Sequence, residues 1–148
     1  MEFQIEAASI KYLDIFYRIE LQCFNEEAFA KQQIAYLLTD FNTIALDAKS
    51  GADIAGFIIA QIEFEDQEYG HIITLNIAPK YRHKGVATKL LAEIESYLRR
   101  RGIRECRLEV REDNHAAIKL YHKLGYQTIG KLERYYGKKH GFYLKKSL

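Results

Sequence analysis

The spacing of apolar residues changes period repeatedly along the chain, and each change marks an element. Phe3, Ile5 and Ala7 alternate and predict a first strand ending near Ala8. Between Tyr12 and Phe24 the set Leu13, Phe16, Tyr17, Ile19, Leu21 and Phe24 follows a roughly helical spacing. Asn25 then stands where it can cap a second helix, with Glu26 and Glu27 in the first turn and an end near Leu38. Thr43 to Ala48 reads as a short strand, Ser50-Gly51 as a turn, and Ile54 to Phe64 as a longer strand. That strand is apolar on both faces at first and alternates later. The acids Glu65 to Glu68 make a solvated hairpin turn into a strand from Tyr69 to Ala78, and Pro79 ends it.

Beyond Pro79 the period becomes helical again. Val86, Ala87, Leu90, Leu91, Ile94, Tyr97 and Leu98 share one face of a long helix that closes at Arg99-Arg100-Arg101-Gly102. Cations at a helix C-terminus complement its dipole, and a glycine there is the expected cap. The same cluster is also suited to an acidic ribosomal surface or nucleic acid. Arg104 to Val110 alternates as a strand, with Cys106, Leu108 and Val110 on one face and Arg107, Glu109 and Arg111 on the other. Asn114 caps a helix of about ten residues that ends at Leu124, with Gly125 just past it. Two last strands surround Gly137-Lys138-Lys139-His140-Gly141.

Composition narrows the class. The 148 residues are 48% hydrophobic and 28% charged, which fits one globular domain over residues 1–148 and excludes a disordered chain. A net charge of +2 is too small to imply nucleic acid or membrane. With neither a signal-peptide pattern nor an apolar run of about 18 residues, a soluble cytoplasmic chain is expected. Cys23 and Cys106 lie in apolar-periodic segments and read as buried thiols. The five histidines have no metal-ligand spacing, so no metal is expected.

The turn from Tyr81 to Lys89 carries the first chemistry. A strand leads into it, a helix leads out, and Gly85 and Ala87 leave bare the N–H groups that open the helix. Such a terminus suits an anion, and Arg82 and Lys84 add charge beside it. The run Ile77-Ala78-Pro79-Lys80-Tyr81-Arg82-x-x-Gly85-Val86-Ala87 resembles the acetyl-CoA signature of the GNAT acetyltransferase superfamily. A second run, Leu108-Glu109-Val110-Arg111 through Asn114 and Tyr121 to Tyr126, is similar to its N-terminal acetyltransferase branch, the ribosomal-protein-alanine enzymes and their archaeal relatives. Together the two runs cover about Tyr69 to Tyr126.

This resemblance implies an α/β GNAT fold, a mixed sheet of about seven strands splayed at the acetyl-CoA site with four helices. It places the pyrophosphate on Arg82, His83, Lys84, Gly85, Val86, Ala87 and Thr88, the thioester beside Leu75, Asn76 and Ile77, and the pantetheine arm near Asn114. It makes Glu109 the general base and Tyr121 the general acid, with His71 ordering a water over the amine. Tyr135 and Tyr136 would cover a substrate N-terminus. Spacing alone also allows Glu109 to pair with a neighbouring arginine and Tyr121 simply to pack. Asn76 stands where relatives carry a small residue and would narrow or re-polarise the acetyl pocket. The basic hairpin Lys138-Lys139-His140 replaces an acidic one and would favour acidic acceptors.

The implied reaction is acetyl transfer from acetyl-CoA to a protein or peptide N-terminal amine, with ribosomal proteins among the candidate partners. Two alternatives stay open: an acetyltransferase of small amines or internal lysines, and a binding module that responds to acetyl-CoA. The sequence leaves the oligomeric state undetermined.

Overall fold

The computed structural model describes residues 2–137 and 139–148. Lys138, one of the three predicted hairpin cations, lies outside the described residues. Seven strands form one sheet in the order β1-β2-β3-β4-β5-β7-β6. They are β1 (Gln4–Ala7), β2 (Thr43–Ser50), β3 (Asp53–Phe64), β4 (Glu68–Ile77), β5 (Glu105–Arg111), β6 (Gln127–Tyr136) and β7 (Lys139–Ser147). The helices are α1 (Leu13–Phe24), α2 (Lys31–Thr39), α3 (Val86–Arg100) and α4 (His115–Lys123). No helix among the described residues is long and apolar enough to cross a membrane.

Each face of the sheet has its own core. Phe16, Ile19 and Ile34 from α1 and α2 pack with Phe57 and Ile59 of β3. On the other face Leu90, Leu91, Ile94 and Leu98 of α3 and Tyr121 of α4 pack with Ile58, Ile72 and Leu108. The helical stripe read from α3 therefore points inward as expected, and β3 is buried on both faces from Ile54 to Ala60. The α3 face also buries Glu95, which accepts from Tyr126 Oη at 2.8 Å and pairs with Lys146 at 2.7 Å. Burial of that charge is tolerated because both oxygens are engaged.

Among the described residues only β4 and β5 run parallel, and their pairing is brief: Gly70, Ile72 and the residue between them face Cys106 to Leu108. Beyond that the strands part. β4 stays with β3 as far as Ile77, while β5 stays with β7 as far as Arg111. Opposite β3, the register steps from Ile59↔Thr74 to Ala60↔Ile72, so Ile73 is an extra residue in a bulge. The bulge turns two successive side chains the same way, since Ile73 packs in the α1–α2 core and Thr74 bonds to α1. The strand end is pinned at the 3-10 turn Pro79–Tyr81, where Tyr81 Oη donates to Asp53 at 2.9 Å.

One expected boundary differs. Asn25 does not cap the second helix: it takes φ 51° and ends α1, its N–H donating to Leu21 O. Asn25–Glu27 forms a 3-10 turn instead, and α2 starts at Lys31 with the Gln33 side chain accepting from Ala30 N–H at 2.7 Å. The cause is tertiary, because the carboxylate of Glu20 holds Phe29 N–H at 3.2 Å and fixes the connection as an extended segment.

Gly56 decides how closely β3 approaches the end of β4. A Cβ there would lie 2.5 Å from the Asn76 carbonyl oxygen and 2.8 Å from Ile77 Cδ1. A backbone oxygen cannot step aside without moving the strand. Gly56→Ala is therefore expected to cost about 1–3 kcal/mol, read as a lowered denaturant midpoint with an unchanged slope.

Candidate active site

A cavity of about 270 Å³ opens where β4 and β5 part. Its walls come from α1, the α1–α2 connection, β4, β5, α4 and the β6–β7 hairpin. Glu109, Tyr121, His71, Leu75, Asn114, Tyr135 and Tyr136, all flagged by the sequence, meet on its walls.

Glu109 does not pair with an arginine. Its two oxygens lie 2.8 and 3.0 Å from His71 Nε2, and His71 Nδ1 lies 2.7 Å from Glu63 Oε2. Burial works against a charged imidazole, yet the carboxylates of Glu109 and Glu63 outweigh it and raise the His71 pKa. Tyr121 is buried, and that burial pushes its phenol well above the ordinary range, so it stays protonated at neutral pH. Its ring packs edge-on against Tyr126 at 5.7 Å. Tyr135 and Tyr136 stack edge to face at 4.9 Å, and burial followed by the charge of Glu109 raises the Tyr135 pKa. Asn114 Oδ1 caps α4 by accepting from Ala117 N–H at 3.2 Å, so the capping and wall positions coincide in one residue.

Asn76 behaves otherwise than expected. Its side chain is turned to the α1 face, where Nδ2 donates to Glu20 at 3.0 Å and to Thr74 at 2.9 Å, so it does not narrow the cavity. The same Glu20 carboxylate also accepts from Thr74 Oγ1 at 2.8 Å. Burial raises the Glu20 pKa, with these hydrogen bonds opposing. Ile77 contributes its carbonyl, which accepts from Cys23 Sγ and from Arg82 Nε. Arg82 is therefore folded back on the end of β4, its Nη2 reaching Cys23 Sγ at 3.5 Å, while His83 and Lys84 are exposed.

The turn that opens α3 has the backbone its glycine allowed. Gly85 takes φ 80° and His83 φ 62°, and a Cβ on Gly85 would meet nothing within 4 Å. The first-turn N–H groups of Val86, Ala87 and Thr88 have no helical partner and face this uncovered turn. At the other end of α3 the arginines serve their own helix: Arg100 donates to Ser96 at 2.8 Å and Arg101 lies over the Tyr97 ring.

Sequence reasoning missed Glu63, Glu20, Glu27 and Arg111. Arg111 bonds Glu27 at 2.7 Å and also Asp113, tying the α1–α2 connection to β5. Lys139 lies 3.8 Å from Asp113 and His140 Nδ1 accepts from Arg134 N–H, so both side chains are already engaged. Two signals were present. Folding Glu63 to Tyr69 as a hairpin sets Glu63 opposite Tyr69 and diagonal to His71. Helical spacing puts Glu20 on the face of Phe16, where a lone carboxylate needs a partner.

The chain is similar in sequence and fold to known proteins. The sequence profile described as the acetyltransferase (GNAT) family matches residues 11–126. The chain is 31% identical over 125 residues to an N-terminal acetyltransferase complex ARD1 subunit homolog of Dictyostelium discoideum, covering 83% of this chain and 62% of that protein. The chain thus spans under two thirds of the length of that relative. It is 27% identical over 121 residues to a spermidine N(1)-acetyltransferase of Thermoplasma acidophilum, covering 79% of this chain and 73% of that one. Among solved structures, a chain of the NatC complex bound to Gag peptide and CoA superposes with a TM-score of 0.88 at 22% identity, covering 100% of this chain and 99% of that one.

The Glu20 cluster generates a prediction of its own. Glu20→Ala leaves the donors of Phe29, Thr74 and Asn76 without their acceptor in a buried place. A loss of about 2–4 kcal/mol is expected, together with faster hydrogen exchange at the Phe29 amide. Unchanged exchange there would mean that the carboxylate does not hold the connection.

Proposed function

The chain belongs to the acetyltransferase (GNAT) family, and from that premise we propose that it moves the acetyl group of acetyl-CoA to the α-amino group of a protein or peptide N-terminus. One juxtaposition carries the reading: Glu109, backed by His71, and the protonated Tyr121 share a cavity at the fork of β4 and β5.

Acetyl-CoA fits the remaining features. The uncovered turn at Gly85 and the N–H groups of Val86, Ala87 and Thr88 suit its pyrophosphate, with His83 and Lys84 adding charge. Arg82 reaches that group only by leaving Ile77 O and Cys23. Beyond Ile72 the edge of β4 that faces β5 has no strand partner, and Leu75, Asn76 and Ile77 there suit an extended amide-bearing arm through their main chain. Asn114 closes that channel from α4. The cosubstrate supplies an acetyl group already activated as a thioester.

The chain's own residues then act in sequence. Tyr135 and Tyr136 hold the acceptor backbone, and Glu109 takes a proton from the amine directly or through one bridging water, with both nitrogens of His71 already engaged by carboxylates. The amine nitrogen bonds to the acetyl carbon as the carbon–sulfur bond breaks. Tyr121 Oη gives its proton to the departing sulfur. Alignment of amine and thioester in one narrow fork supplies much of the rate.

The choice of amine follows from proton affinity. An α-amino group has a pKa of about 7.7–8.0 and a lysine amine about 10.4, so lysine requires roughly 3–4 kcal/mol more deprotonation work. One carboxylate with an imidazole behind it suits the easier amine. Of the basic hairpin read for acidic acceptors, Lys139 lies by Asp113, while Glu20, Glu27 and Glu109 line the cavity with Arg111 and His71. That excess of carboxylates favours a second reading, a polyamine acceptor, in line with the spermidine-acetylating relative.

Two experiments test this. Coenzyme A at a hundredfold its dissociation constant is expected to stabilise the fold by about 2.7 kcal/mol, seen as a melting shift of several degrees. Gly85→Glu, which places a carboxylate in the turn, is expected to abolish the shift, and no shift in the unaltered chain sinks the cofactor assignment. The second is a matched pair of peptides, one with a free N-terminus and no lysine, the other N-blocked with an internal lysine, run beside spermidine. The free N-terminus is expected to lead in kcat/KM by about tenfold or more. A lead for spermidine selects the polyamine reading.

A further inference from the structure

Glu63 stands outside the cavity wall, yet it touches the residue behind the base. It lies near the end of β3 opposite Tyr69, with Oε1 accepting from Tyr69 Oη at 2.9 Å and Oε2 at 2.7 Å from His71 Nδ1. On the far side of the ring, His71 Nε2 faces both oxygens of Glu109. Each ring nitrogen thus meets a carboxylate oxygen, and a carboxylate only accepts. A neutral imidazole has one N–H, so one of the two contacts would set lone pair against lone pair. Both are hydrogen bonds only when the ring carries two protons.

From this geometry we infer that Glu63 is a positioning residue for the base: by binding Nδ1–H it holds His71 as a doubly donating cation, which fixes Glu109 as a carboxylate aimed into the cavity. The inference rests on the reading of Glu109 as the base. Its consequence concerns the working range. An α-amine becomes neutral near pH 8, whereas an ordinary histidine has lost its charge by then. Were His71 to follow the ordinary course, its bare Nε2 would repel Glu109 where the amine is ready to react. Against the effect of burial, two flanking carboxylates raise the pKa of the ring and so extend the range over which it keeps both protons.

Other charged groups do not offer His71 a substitute for Glu63. On β5, Arg107 lies 3.8 Å from the Tyr69 ring centre and bonds Glu105, Glu65 and Tyr143, while Arg111 is taken by Glu27 and Asp113. From β6 the neighbouring titratable group is Tyr135, whose phenol is kept protonated in part by the charges of Glu109 and Glu63. From the α1 side Glu20 is engaged with Thr74, Asn76 and Phe29. The Glu63 side chain is 34% exposed against 19% for His71, so the cation is shielded from solvent while its outer partner remains wet.

The test uses the full chain and a readout that needs no turnover. Nitrogen NMR of the His71 ring is expected to show both nitrogens protonated at neutral pH. In Glu63→Gln, which keeps an acceptor and loses the charge, the titration midpoint is expected to fall by about one pH unit or more. The pH at which kcat begins to decline should fall with it, while KM for acetyl-CoA changes less than about twofold. Glu63→Asp, which keeps the charge, should recover most of the titration shift, and it serves as the measured variant if the glutamine form is unstable. An unmoved His71 titration in Glu63→Gln overturns the inference. A titration that moves while the kcat profile stays put leaves the hold on His71 standing and removes Glu109 as the base.

Discussion

The parting of β4 from β5 is the constraint on which the rest of the molecule depends. Paired strands satisfy one another's N–H and C=O groups, and here that exchange stops after Ile72 on one side and Leu108 on the other. Each arm of the fork survives because its outer neighbour holds it, β3 for β4 and β7 for β5. The extra residue at Ile73 lets β4 bend away without losing β3, and Gly56 lets the two backbones close up where the bend ends. The result is a slot with a polar inner edge, built from main chain before any side chain contributes.

Charge is then distributed on both sides of that slot. On the α1 side Glu20 is fully buried and gathers donors from Phe29, Thr74 and Asn76, which locks the helix connection to the bulge. At the paired end of the fork, Glu63, His71 and Glu109 form a row across three adjacent strands. The first cluster fixes a chain connection, and the second sets two carboxylates about one imidazole. Tyr121 faces the same cavity from α4, where burial keeps its proton in place, so a carboxylate and a protonated phenol stand on neighbouring walls.

Much of this was legible in the amino-acid order. Alternation in β1, β3 and β5, the stripe of α3, the cap at Asn114 and the glycine opening of α3 all follow from local rules, because each depends on residues within a turn or a strand of one another. Glu109, Tyr121, His71, Tyr135 and Tyr136 were also named as a set, through the resemblance of the chain to the acetyltransferase family and not through local periodicity. Tertiary structure alone decided three things. Asn25 ends a helix and does not begin one because Glu20, nine positions from Phe29, claims that residue's N–H. Asn76 turns from the cavity because the bulge at Ile73, three residues earlier on the same strand, reverses the facing that simple alternation assigns. Glu109 meets an imidazole and not an arginine because β4 and β5, 38 residues apart at that contact, are parallel neighbours. Local periodicity is a property of a segment, and a chain pattern records it. Which carboxylate meets which donor is set by strand order and register, and those are settled only when the whole sheet has assembled.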